Sequence, residues 1–324
     1  MKRTEGTASA PAKVILFGEH FVVYGNPAIL AAINRRVTAR ARVLEDTKIL
    51  ITSDIGAAAE YSDSQFTPLK GGIGARAILD PLYDAAKRGQ RGNKMNSGLK
   101  LDLHSEVPYG IGLGSSAASC VATVAAVDSL SGRHNSHWIC ERAIKSERMI
   151  HKNSSGADCY VSAVGGMITY SRRAGFRKIK PKSTLSLVVG STGIRHSTGE
   201  LVASVAQFRE RNMELFRSLA RQAEEISEEA LRAIELGDQE KLGQLMNENQ
   251  VLLRKIGVTS KTNNLIEGCI RAGALGAKIT GAGGGGAVIA LAATKKDSAR
   301  IAAHIDASGC ESMEVTLDRK GLIY

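Results

Sequence analysis

The sequence predicts an α+β protein built from two domains. At 324 residues, the chain exceeds the size at which a single hydrophobic core usually stops growing. Residues 1–182 mix strand and helix patterns. Residues 183–324 follow the order strand, helix, strand, strand, helix, strand, once inserted helices are allowed for, which is typical of a ferredoxin-like domain. We therefore expect an N-terminal domain over 1–182 and a ferredoxin-like C-terminal domain over 183–324.

In the N-terminal part, short apolar or alternating runs predict strands, and three- and four-residue apolar spacing predicts helices. Leu99, Leu101 and Leu103 alternate with polar residues, as in a strand with one buried face. The run after residue 117 is almost entirely small and apolar, without Pro or Gly, which is typical of a buried helix. The predicted strands are 14–17, 36–43, 48–52 and 99–103, and the predicted helices are 73–87, 117–130 and 136–151.

The C-terminal part is more regular, since apolar residues from Phe216 to Ile234 recur at three- and four-residue steps. One face of a long helix is therefore apolar, and Gly237 is expected to end that helix. Further helices are predicted at 242–253, 265–272 and 299–305, and strands at 185–189, 277–280, 287–291 and 313–317.

Composition narrows the class of protein. The apolar fraction of 43% is enough for ordinary globular cores, and no apolar run approaches the roughly 18 residues that span a bilayer. The apolar run 14–17 is too short for a signal peptide, and Glu19 and His20 follow it. Five scattered cysteines form no Cys-x-x-Cys motif, and their odd number argues against a complete disulfide framework. We expect inert thiols in a reducing cytoplasm and no membrane association.

The net charge of +11 suits anionic small substrates through long-range steering. Part of this charge lies in the basic run 172–182, which we interpret as a solvated linker or hairpin. Nucleic-acid binding would need such a patch together with a known module or stacking aromatics, and aromatic residues make up only 4% of the chain. A nucleic-acid partner is therefore not expected.

The segment Pro108-Tyr-Gly-Ile-Gly-Leu-Gly-Ser-Ser-Ala117 joins a predicted strand to the N-terminus of a predicted helix. Its three glycines lack Cβ atoms, so backbone N–H groups can approach a ligand closely. The helix N-terminus adds unpaired donors and the positive end of the helix dipole, which together suit a phosphate. Of the two hydroxyls, Ser115 and Ser116, one can cap the helix and the other can reach a metal ion beside the phosphates.

This segment differs from two common phosphate-binding motifs. No Lys follows the glycines as in the P-loop NTPases, and the Gly-x-Gly-x-Gly spacing is not that of a dinucleotide fingerprint. The alternative is a tight strand-to-helix turn without a ligand. Three glycines, two serines and a helix start in one segment favour phosphate binding over that alternative.

The first of three further candidate segments is Ala10-Pro-Ala-Lys-Val-Ile-Leu-Phe-Gly-Glu-His20. Its Lys13, Glu19 and His20 bracket a short apolar strand. Taken alone, these residues would be interpreted as ordinary solvent-facing strand ends. The segment becomes informative only in combination with the others.

The other two segments combine carboxylates or glycines with a turn. Glu147 lies on a predicted helix and Asp158 follows a Ser-Ser-Gly turn; the alternative is a surface Glu and a capping Asp. Four consecutive glycines, 283–286, lie between two predicted strands, and a flexible hairpin is the alternative there. Four glycines in a hairpin lose much conformational entropy on folding, which close backbone approach to a ligand offsets.

In this order along the chain, the four segments resemble the GHMP kinases, the family of galactokinase, homoserine kinase, mevalonate kinase and phosphomevalonate kinase. The resemblance runs from Lys13 to about Ala292, and the segment 108–117 matches the family's phosphate loop at every defining position. The mevalonate kinases are the most similar branch, because Gly-Glu-His20 is followed by Val22-Val-Tyr-Gly25 and not by the Thr-Asp-Tyr of galactokinases. The segment Ser191-Thr-Gly-Ile-Arg-His-Ser-Thr198 is also similar to theirs.

The resemblance implies the two-domain GHMP kinase fold, with an N-terminal domain like the second domain of ribosomal protein S5, a ferredoxin-like C-terminal domain and a site between them. It implies ATP- and Mg²⁺-dependent phosphorylation of the C5 hydroxyl of (R)-mevalonate to mevalonate 5-phosphate, in isoprenoid synthesis, by a homodimer. Alternatives are another small-molecule kinase of the family, acting on phosphomevalonate or on a different hydroxyl of mevalonate, or a non-catalytic ligand sensor. A sensor has no need to keep Lys13, Glu147 and Asp158 together.

The resemblance also implies a role for each matched residue. Asp158 would accept the proton of the C5 hydroxyl, and Lys13 would make that hydroxyl more acidic, orient Asp158 and balance charge on the transferring phosphoryl group. Glu147 and Ser116 would hold Mg²⁺, which prefers oxygen ligands. The ATP phosphates would contact Pro108, Gly110, Gly112, Leu113, Gly114, Ser115, Ser116 and Ala117, and mevalonate would contact Glu19, His20, Thr198, Gly283 and Gly284.

The chain departs from the family pattern before the catalytic Asp. Family members usually have Asn-Pro-Ser-Gly there, and this chain has Asn153-Ser-Ser-Gly156. Ser154 frees the φ angle and restores an N–H, which predicts a less rigid loop. Cys159 stands where Asn is common. Neither change removes a reacting group, so they bear on loop geometry and substrate choice rather than on the reaction class.

Overall fold

The computed structural model of the chain describes residues 3–93, 95–132, 135–150, 154–194, 198–259 and 262–324. The strands are β1 (Glu5–Phe17), β2 (Ala28–Leu44), β3 (Ile49–Ser53), β4 (Ala57–Ser62), β5 (Gln65–Lys70), β6 (Gly98–Ser105), β7 (Met167–Ser171), β8 (Gly175–Ile179), β9 (Ser186–Ser191), β10 (Gly276–Thr280), β11 (Ala287–Ala292) and β12 (Glu311–Thr316). The α-helices are α1 (Arg76–Asn93), α2 (Ser115–Ser129), α3 (Ser136–Glu147), α4 (Ala157–Val164), α5 (Thr198–Arg211), α6 (Met213–Leu236), α7 (Gln239–Lys255), α8 (Asn263–Arg271) and α9 (Lys295–Ala307). Short 3₁₀ turns lie at Phe21–Tyr24 and Ile73–Ala75.

The first sheet has eight strands in the order β5-β4-β3-β6-β2-β7-β8, with β1 paired to β2. The long strand β2 is the central strand of this sheet. It pairs with β1 along most of its length, with β7 at its start and with β6 at its end. Of the strand pairs in this sheet, β3 with β6 is parallel. Helix α2 packs on β1 and β2 and between α1 and α3. Its small apolar residues are buried on all sides, as its composition predicts.

The second sheet has the order β10-β11-β9-β12, with antiparallel pairs throughout. In chain order these strands and their helices read strand, helices, strand, strand, helix, strand, which confirms the ferredoxin-like arrangement. The predicted apolar face of α6, from Phe216 to Ile234, is buried. Gly237 ends that helix in the left-handed region with φ of 77°, as expected for a C-terminal glycine.

One buried cluster runs across both sheets. Val14 and Leu16 of β1 pack in the same cluster as Val188 of β9 and Ile289 of β11. The predicted boundary at 182/183 lies between β8, which ends at Ile179, and the start of β9. Because the core is continuous across this boundary, the exact division stays a prediction.

Several elements differ from those that the sequence predicts. Strand β2 begins at Ala28, well before the predicted 36–43. The prediction misses these first residues because they are apolar on both faces of the strand and show no alternation. The exposed, Pro-containing β5 and the Ala-rich β4 lack a strand pattern. Helix α5 buries only Val205, so its apolar stripe is too weak to predict it. In the predicted helix 73–87, residues 73–75 form a 3₁₀ turn and α1 starts at Arg76. The helix predicted over 136–151 is shorter than expected, because α3 ends at Glu147.

The basic run 172–182 contains the turn and second strand of the β7–β8 hairpin, which confirms one of its two interpretations. Tyr160 of α4 and Tyr170 of β7 both stack on Phe176 of β8, so aromatic packing holds the hairpin against the body of the protein. Among the described residues, none of the helices combines the length and apolarity needed to cross a membrane.

Candidate active site

The glycine-rich loop connects β6 to α2, as the sequence predicts. Gly110, Gly112 and Gly114 have φ angles of 81°, 89° and 71°, a region that residues with a Cβ rarely adopt. Glycine is therefore required at all three positions by the path of the backbone. The loop leads directly into the N-terminus of α2, and the N–H groups of a helix N-terminus suit an anion.

The expectation that a serine caps α2 is wrong. The residue at the cap position is Gly114, which has no side chain to accept a hydrogen bond, and Ser115 is already the first helical residue. Ser115 instead accepts, through its carbonyl oxygen, a hydrogen bond from the Ser119 hydroxyl at 2.8 Å. The cap residue itself therefore offers no side-chain acceptor to the first N–H groups of the helix, which suits a ligand that accepts from them.

Lys13 of β1 crosses directly over this loop. Its side chain is buried, and its Nζ donates to the Gly112 carbonyl oxygen at 3.1 Å. A Cβ on Gly114 would lie 2.8 Å from Lys13 Cε, so the glycine leaves room for the lysine stem. The backbone N–H of Lys13 donates to the Leu113 carbonyl at 2.9 Å. Loop and strand are thus fixed to each other, and the ammonium group lies at the glycine-rich turn.

Asp158 meets Lys13 from the other side. It lies in the first turn of α4, where the helix dipole favours a carboxylate, and its Oδ2 is 3.1 Å from Lys13 Nζ. Its side chain is 31% exposed whereas that of Lys13 is only 4% exposed, so the carboxylate remains accessible to a substrate. Gly156 caps α4 with φ of 84°, and a Cβ there would collide with Ile144. The turn before the helix therefore depends on glycine.

Glu147 ends α3 as a buried carboxyl group. The pKa of Glu147 is raised to about 7, chiefly by burial; a hydrogen bond with Ser154 lowers it, the negative charge of Asp158 raises it, and the charge of Lys13 lowers it. The charges of Glu147 and Asp158 interact, and carboxylate oxygens are the hard donors that Mg²⁺ prefers. A divalent cation would relieve the desolvation of Glu147, so these residues fit Mg²⁺.

We expect Glu147→Gln to change how stability depends on pH. Because folding raises the pKa of Glu147, the folded state binds its proton more tightly. This carboxyl therefore contributes stability at low pH that is lost as pH rises from 4.5 through about 7. With a chelator present, the free energy of unfolding of the variant, relative to that of the wild type, should rise by up to roughly 3 kcal/mol between pH 5 and pH 8. Thermal melting at each pH measures this difference.

Mg²⁺ added at pH 8 should raise the melting temperature of the wild type more than that of Glu147→Gln. Glu141→Gln is the matched control, because Glu141 lies on the same helix with its side chain exposed. Parallel pH profiles for the wild type and Glu147→Gln would contradict the assignment of Glu147 as the buried titrating ligand.

His20 and Glu19 follow β1 in a tight turn. His20 has φ of 59°, a region that non-glycine residues seldom adopt, and its Nε2 lies 2.9 Å from the carbonyl oxygen of Ala282. Burial lowers the pKa of His20, so the ring favours the neutral form. Glu19 is fully buried and forms an ion pair with Lys278 of β10. The sequence motifs do not point to Lys278; a single charged residue in an otherwise uncharged strand is the signal that could have found it.

The glycine run between β10 and β11 packs on the phosphate loop itself. A Cβ on Gly281 would lie 3.0 Å from the carbonyl oxygen of Gly112, and one on Gly286 would lie 3.0 Å from that of Ile111. A Cβ on Gly283 would lie 2.4 Å from the Val258 carbonyl oxygen. Contact with the protein's own backbone thus accounts for Gly281, Gly283 and Gly286, whereas the sequence suggests contact with a ligand or a flexible hairpin.

The remaining sequence-predicted residues are less closely joined to this cluster. Thr198 is exposed at the first position of α5, and within the described chain no hydrogen bond or ion pair joins it to Lys13, Asp158 or His20. Its motif neighbours 195–197 lie outside the described residues, as do residues 151–153 of the segment before Asp158.

Comparison with known families identifies the chain. The model of the GHMP kinase N-terminal domain matches residues 80–166, and the model of the GHMP kinase C-terminal domain matches residues 204–310. The chain belongs to the GHMP kinase family. Both the phosphate loop and the Glu147–Asp158 pair of this GHMP kinase lie within the first match, and the glycine hairpin lies within the second.

Among individual relatives, this GHMP kinase is 40% identical to the mevalonate kinase of Pyrococcus furiosus, with 97% of each chain covered. Its fold superimposes on L. major mevalonate kinase, solved in complex with R-mevalonate, with a TM-score of 0.83 at 29% identity and 97% coverage of both chains. The mevalonate kinase of Methanococcus jannaschii gives a TM-score of 0.80 at 25% identity, with 96% of this chain and 98% of that chain covered.

Proposed function

We propose that this GHMP kinase transfers the γ-phosphoryl group of ATP to the C5 hydroxyl of (R)-mevalonate and so forms mevalonate 5-phosphate for isoprenoid synthesis. The observation that carries this proposal is the Lys13–Asp158 pair at 3.1 Å, placed on the carbonyl of Gly112 in the phosphate loop. Phosphoryl transfer needs a group that accepts the hydroxyl proton and a cation at the phosphates, and this pair supplies both. Mevalonate is favoured as the acceptor because the relatives that cover 97% of the chain are mevalonate kinases.

Asp158 accepts the proton as the hydroxyl attacks, since its carboxylate is partly exposed and held in place by Lys13. Lys13 stabilises negative charge on the attacking oxygen and on the transferring phosphoryl group. The low exposure of its ammonium group strengthens both interactions, because little water screens them.

The phosphates of ATP bind in the turn of Gly110, Gly112 and Gly114, with the open N–H groups of α2 as donors. A narrow, mainly apolar pocket lies beside the turn, and hydroxyl groups are among those that line it. Its lining includes Val37, Ile55, Leu82, Leu103, Tyr109 and Ser116. Pro108, Leu113, Ser115 and Ala117 shape the same turn.

Glu147 and Ser116 would hold Mg²⁺, which prefers oxygen ligands. The ion would neutralise charge on the ATP phosphates. At the acceptor end, Glu19, His20, Thr198, Gly283 and Gly284 stay the predicted mevalonate contacts. The neutral imidazole of His20 can hydrogen-bond a hydroxyl or carboxylate, and its Nε2 lies 2.9 Å from the carbonyl oxygen of Ala282, the residue before Gly283.

Two further properties are part of the proposal. All five cysteines are free thiols, which fits a reducing compartment such as the cytoplasm. A homodimer, which the family resemblance implies, stays a prediction.

The direct test is an ATP-consumption screen of the purified chain with mevalonate, phosphomevalonate, galactose and homoserine. Phosphorus NMR of the product then assigns the phosphorylated position. We expect turnover with mevalonate and a phosphate on C5. Turnover with phosphomevalonate alone, or a phosphate on another hydroxyl, would replace the proposed acceptor while keeping the reaction class. ATP binding without turnover on any of the four compounds would favour a sensor.

We expect His20→Ala and Thr198→Ala to impair the use of mevalonate far more than the binding of ATP. Loss of one hydrogen-bonding partner typically lowers kcat/KM by roughly 5- to 150-fold. Steady-state kinetics with each substrate varied, beside a melting curve, measures the effect. Thr316→Ala is the control, because it removes a threonine hydroxyl from another exposed position that is not among the predicted substrate contacts. Reduced stability with unchanged kcat/KM for mevalonate would return both residues to a structural role.

A further inference from the structure

A buried ion pair joins the turn after β1 to strand β10. The side chains of Glu19 and Lys278 are both fully buried, and Lys278 Nζ donates to Glu19 Oε1 and, at 2.8 Å, to the carbonyl oxygen of Ile279. The two residues are 259 positions apart in the chain. Burial raises the pKa of Glu19 and lowers that of Lys278, and the opposite charge of each partner counteracts these shifts.

Strand β10 is fixed immediately after Lys278 by hydrogen bonds to β1 and α7. The Thr280 hydroxyl accepts from the Ile15 N–H at 2.8 Å and donates to the Ile15 carbonyl at 3.1 Å. Gln250 of α7 accepts from the Ile279 N–H at 3.1 Å. Lys278 therefore extends from a rigid strand, and it can fix the position of what it binds.

The turn that Lys278 holds has an unusual conformation. Gly18 and His20 have φ angles of 90° and 59°, and a Cβ on Gly18 would lie 2.3 Å from the Pro27 carbonyl oxygen. A non-glycine residue stays in such a conformation only where its surroundings fix it. Two contacts do so here: Glu19 binds Lys278, and the His20 ring binds the carbonyl of Ala282. Both partners belong to β10 and the glycine hairpin that follows it.

Glu19 is enclosed by protein. None of its side chain is exposed, one carboxylate oxygen is held by Lys278, and within the described chain the other oxygen, also buried, has no hydrogen-bond partner. His20, by contrast, retains 6% exposure and lies next in the chain. The ion pair thus lies behind the histidine rather than beside it at the surface of the site.

We propose that Lys278 is a positioning residue. Through Glu19 it holds the turn 18–20 so that the His20 ring faces the acceptor substrate, and the Glu19 carboxylate itself does not touch that substrate. This inference rests on the proposed function for the identity of the acceptor, and it changes the role of Glu19 from a predicted substrate contact to a buried support of one.

The test is a double-variant cycle of Lys278→Met, Glu19→Met and the combination of both. Removing one partner leaves the other charge buried and unpaired, whereas replacing both by unbranched apolar side chains keeps the volume without a buried charge. We expect each single variant to lower kcat/KM for mevalonate by about 10- to 100-fold through a raised KM, with the KM for ATP within about 2-fold of the wild type. The combined variant should recover to within about 5-fold of the wild type.

Lys241→Met is the matched control, because Lys241 forms an exposed ion pair with Glu229 at 2.9 Å far from the turn. ATP-binding stoichiometry gives the folded fraction of each variant, so that loss of stability is separated from loss of positioning. If Glu19 touched the substrate, the combined variant would stay as impaired as Glu19→Met, and the inference would be overturned. Unchanged kinetics of Lys278→Met would overturn it as well.

The cycle is evaluated on whichever acceptor the substrate screen identifies. A wild type that turns over no mevalonate contradicts the proposed function alone, since the ratio of acceptor KM to ATP KM can still be measured with another acceptor.

Discussion

Asp158→Asn is expected to lower kcat by about 10²–10⁴-fold, the range that a positioned general base contributes. The amide keeps the shape of the side chain in the first turn of α4 but cannot take the hydroxyl proton. It also weakens the 3.1 Å contact with Lys13, which keeps its hydrogen bond to the Gly112 carbonyl. Rapid-quench or steady-state kinetics measures the loss, and calorimetric titration with ATP should show nearly unchanged affinity.

Asp297→Asn is the matched control for this result. Asp297 also occupies the first turn of a helix, α9, and carries the same charge near a helix N-terminus. The control variant should have a slightly lower melting temperature and an unchanged kcat. Near-normal turnover of Asp158→Asn would remove this residue from the chemistry and leave it as a carboxylate that stabilises the first turn of α4.

Lys13→Met is expected to lower kcat by about 10²–10³-fold, comparable to the loss of one preorganised donor from a charge-stabilising site. Methionine keeps the apolar stem that packs against Gly114 but removes the cation shared by Asp158 and the phosphate loop. Because the ammonium group is buried, its effect on developing charge is little screened by water. Steady-state kinetics should therefore show a fall in kcat larger than any change in the KM for mevalonate.

The exposed Lys241→Met tests whether loss of any one lysine has this effect on a basic protein. It should leave kcat unchanged. A Lys13→Met enzyme that loses ATP affinity but keeps kcat would show that Lys13 binds the nucleotide without acting in the transfer step. Equal losses in both lysine variants would indicate a general charge effect.

The two expected losses differ in origin, although the two groups are in contact. Asp158 changes protonation state during the reaction, and Lys13 stabilises charge without changing its own. A double variant should therefore lose less than the product of the two single losses, because each group depends on the other for its position. The 3.1 Å separation of their charged atoms is what makes this coupling expected.

Local features of the chain determine several elements by themselves. Gly110, Gly112 and Gly114 mark a loop with left-handed backbone angles, because steric exclusion by a Cβ is a property of each residue alone. The apolar spacing of α6 predicts which of its faces is buried, because the helical period is fixed by backbone hydrogen bonding. The match of four segments to one family also predicts the two-domain fold, which the family-model matches confirm.

The sequence is less informative where a pattern is weak or has two explanations. Strands β4 and β5 carry Ala, Pro and exposed polar residues, and they form because β3 offers a free edge. Ser115 and Ser116 look like caps for α2, but the tight turn places a glycine at the cap position. Gly281 and the glycines 283–286 suggest contact with a ligand, yet the atoms that approach Gly281 and Gly286 belong to the glycine-rich loop 108–117.

Contacts between distant segments are what only the tertiary structure decides. The chain itself determines that a lysine, two carboxylates and two glycine-rich turns are present, and in what order. It does not determine that Lys278 reaches Glu19 across 259 residues, or that Asp158 lies 3.1 Å from Lys13. Such pairs form because burial of the common core brings β1, α4 and β10 together, and a buried charge is stable only beside a partner.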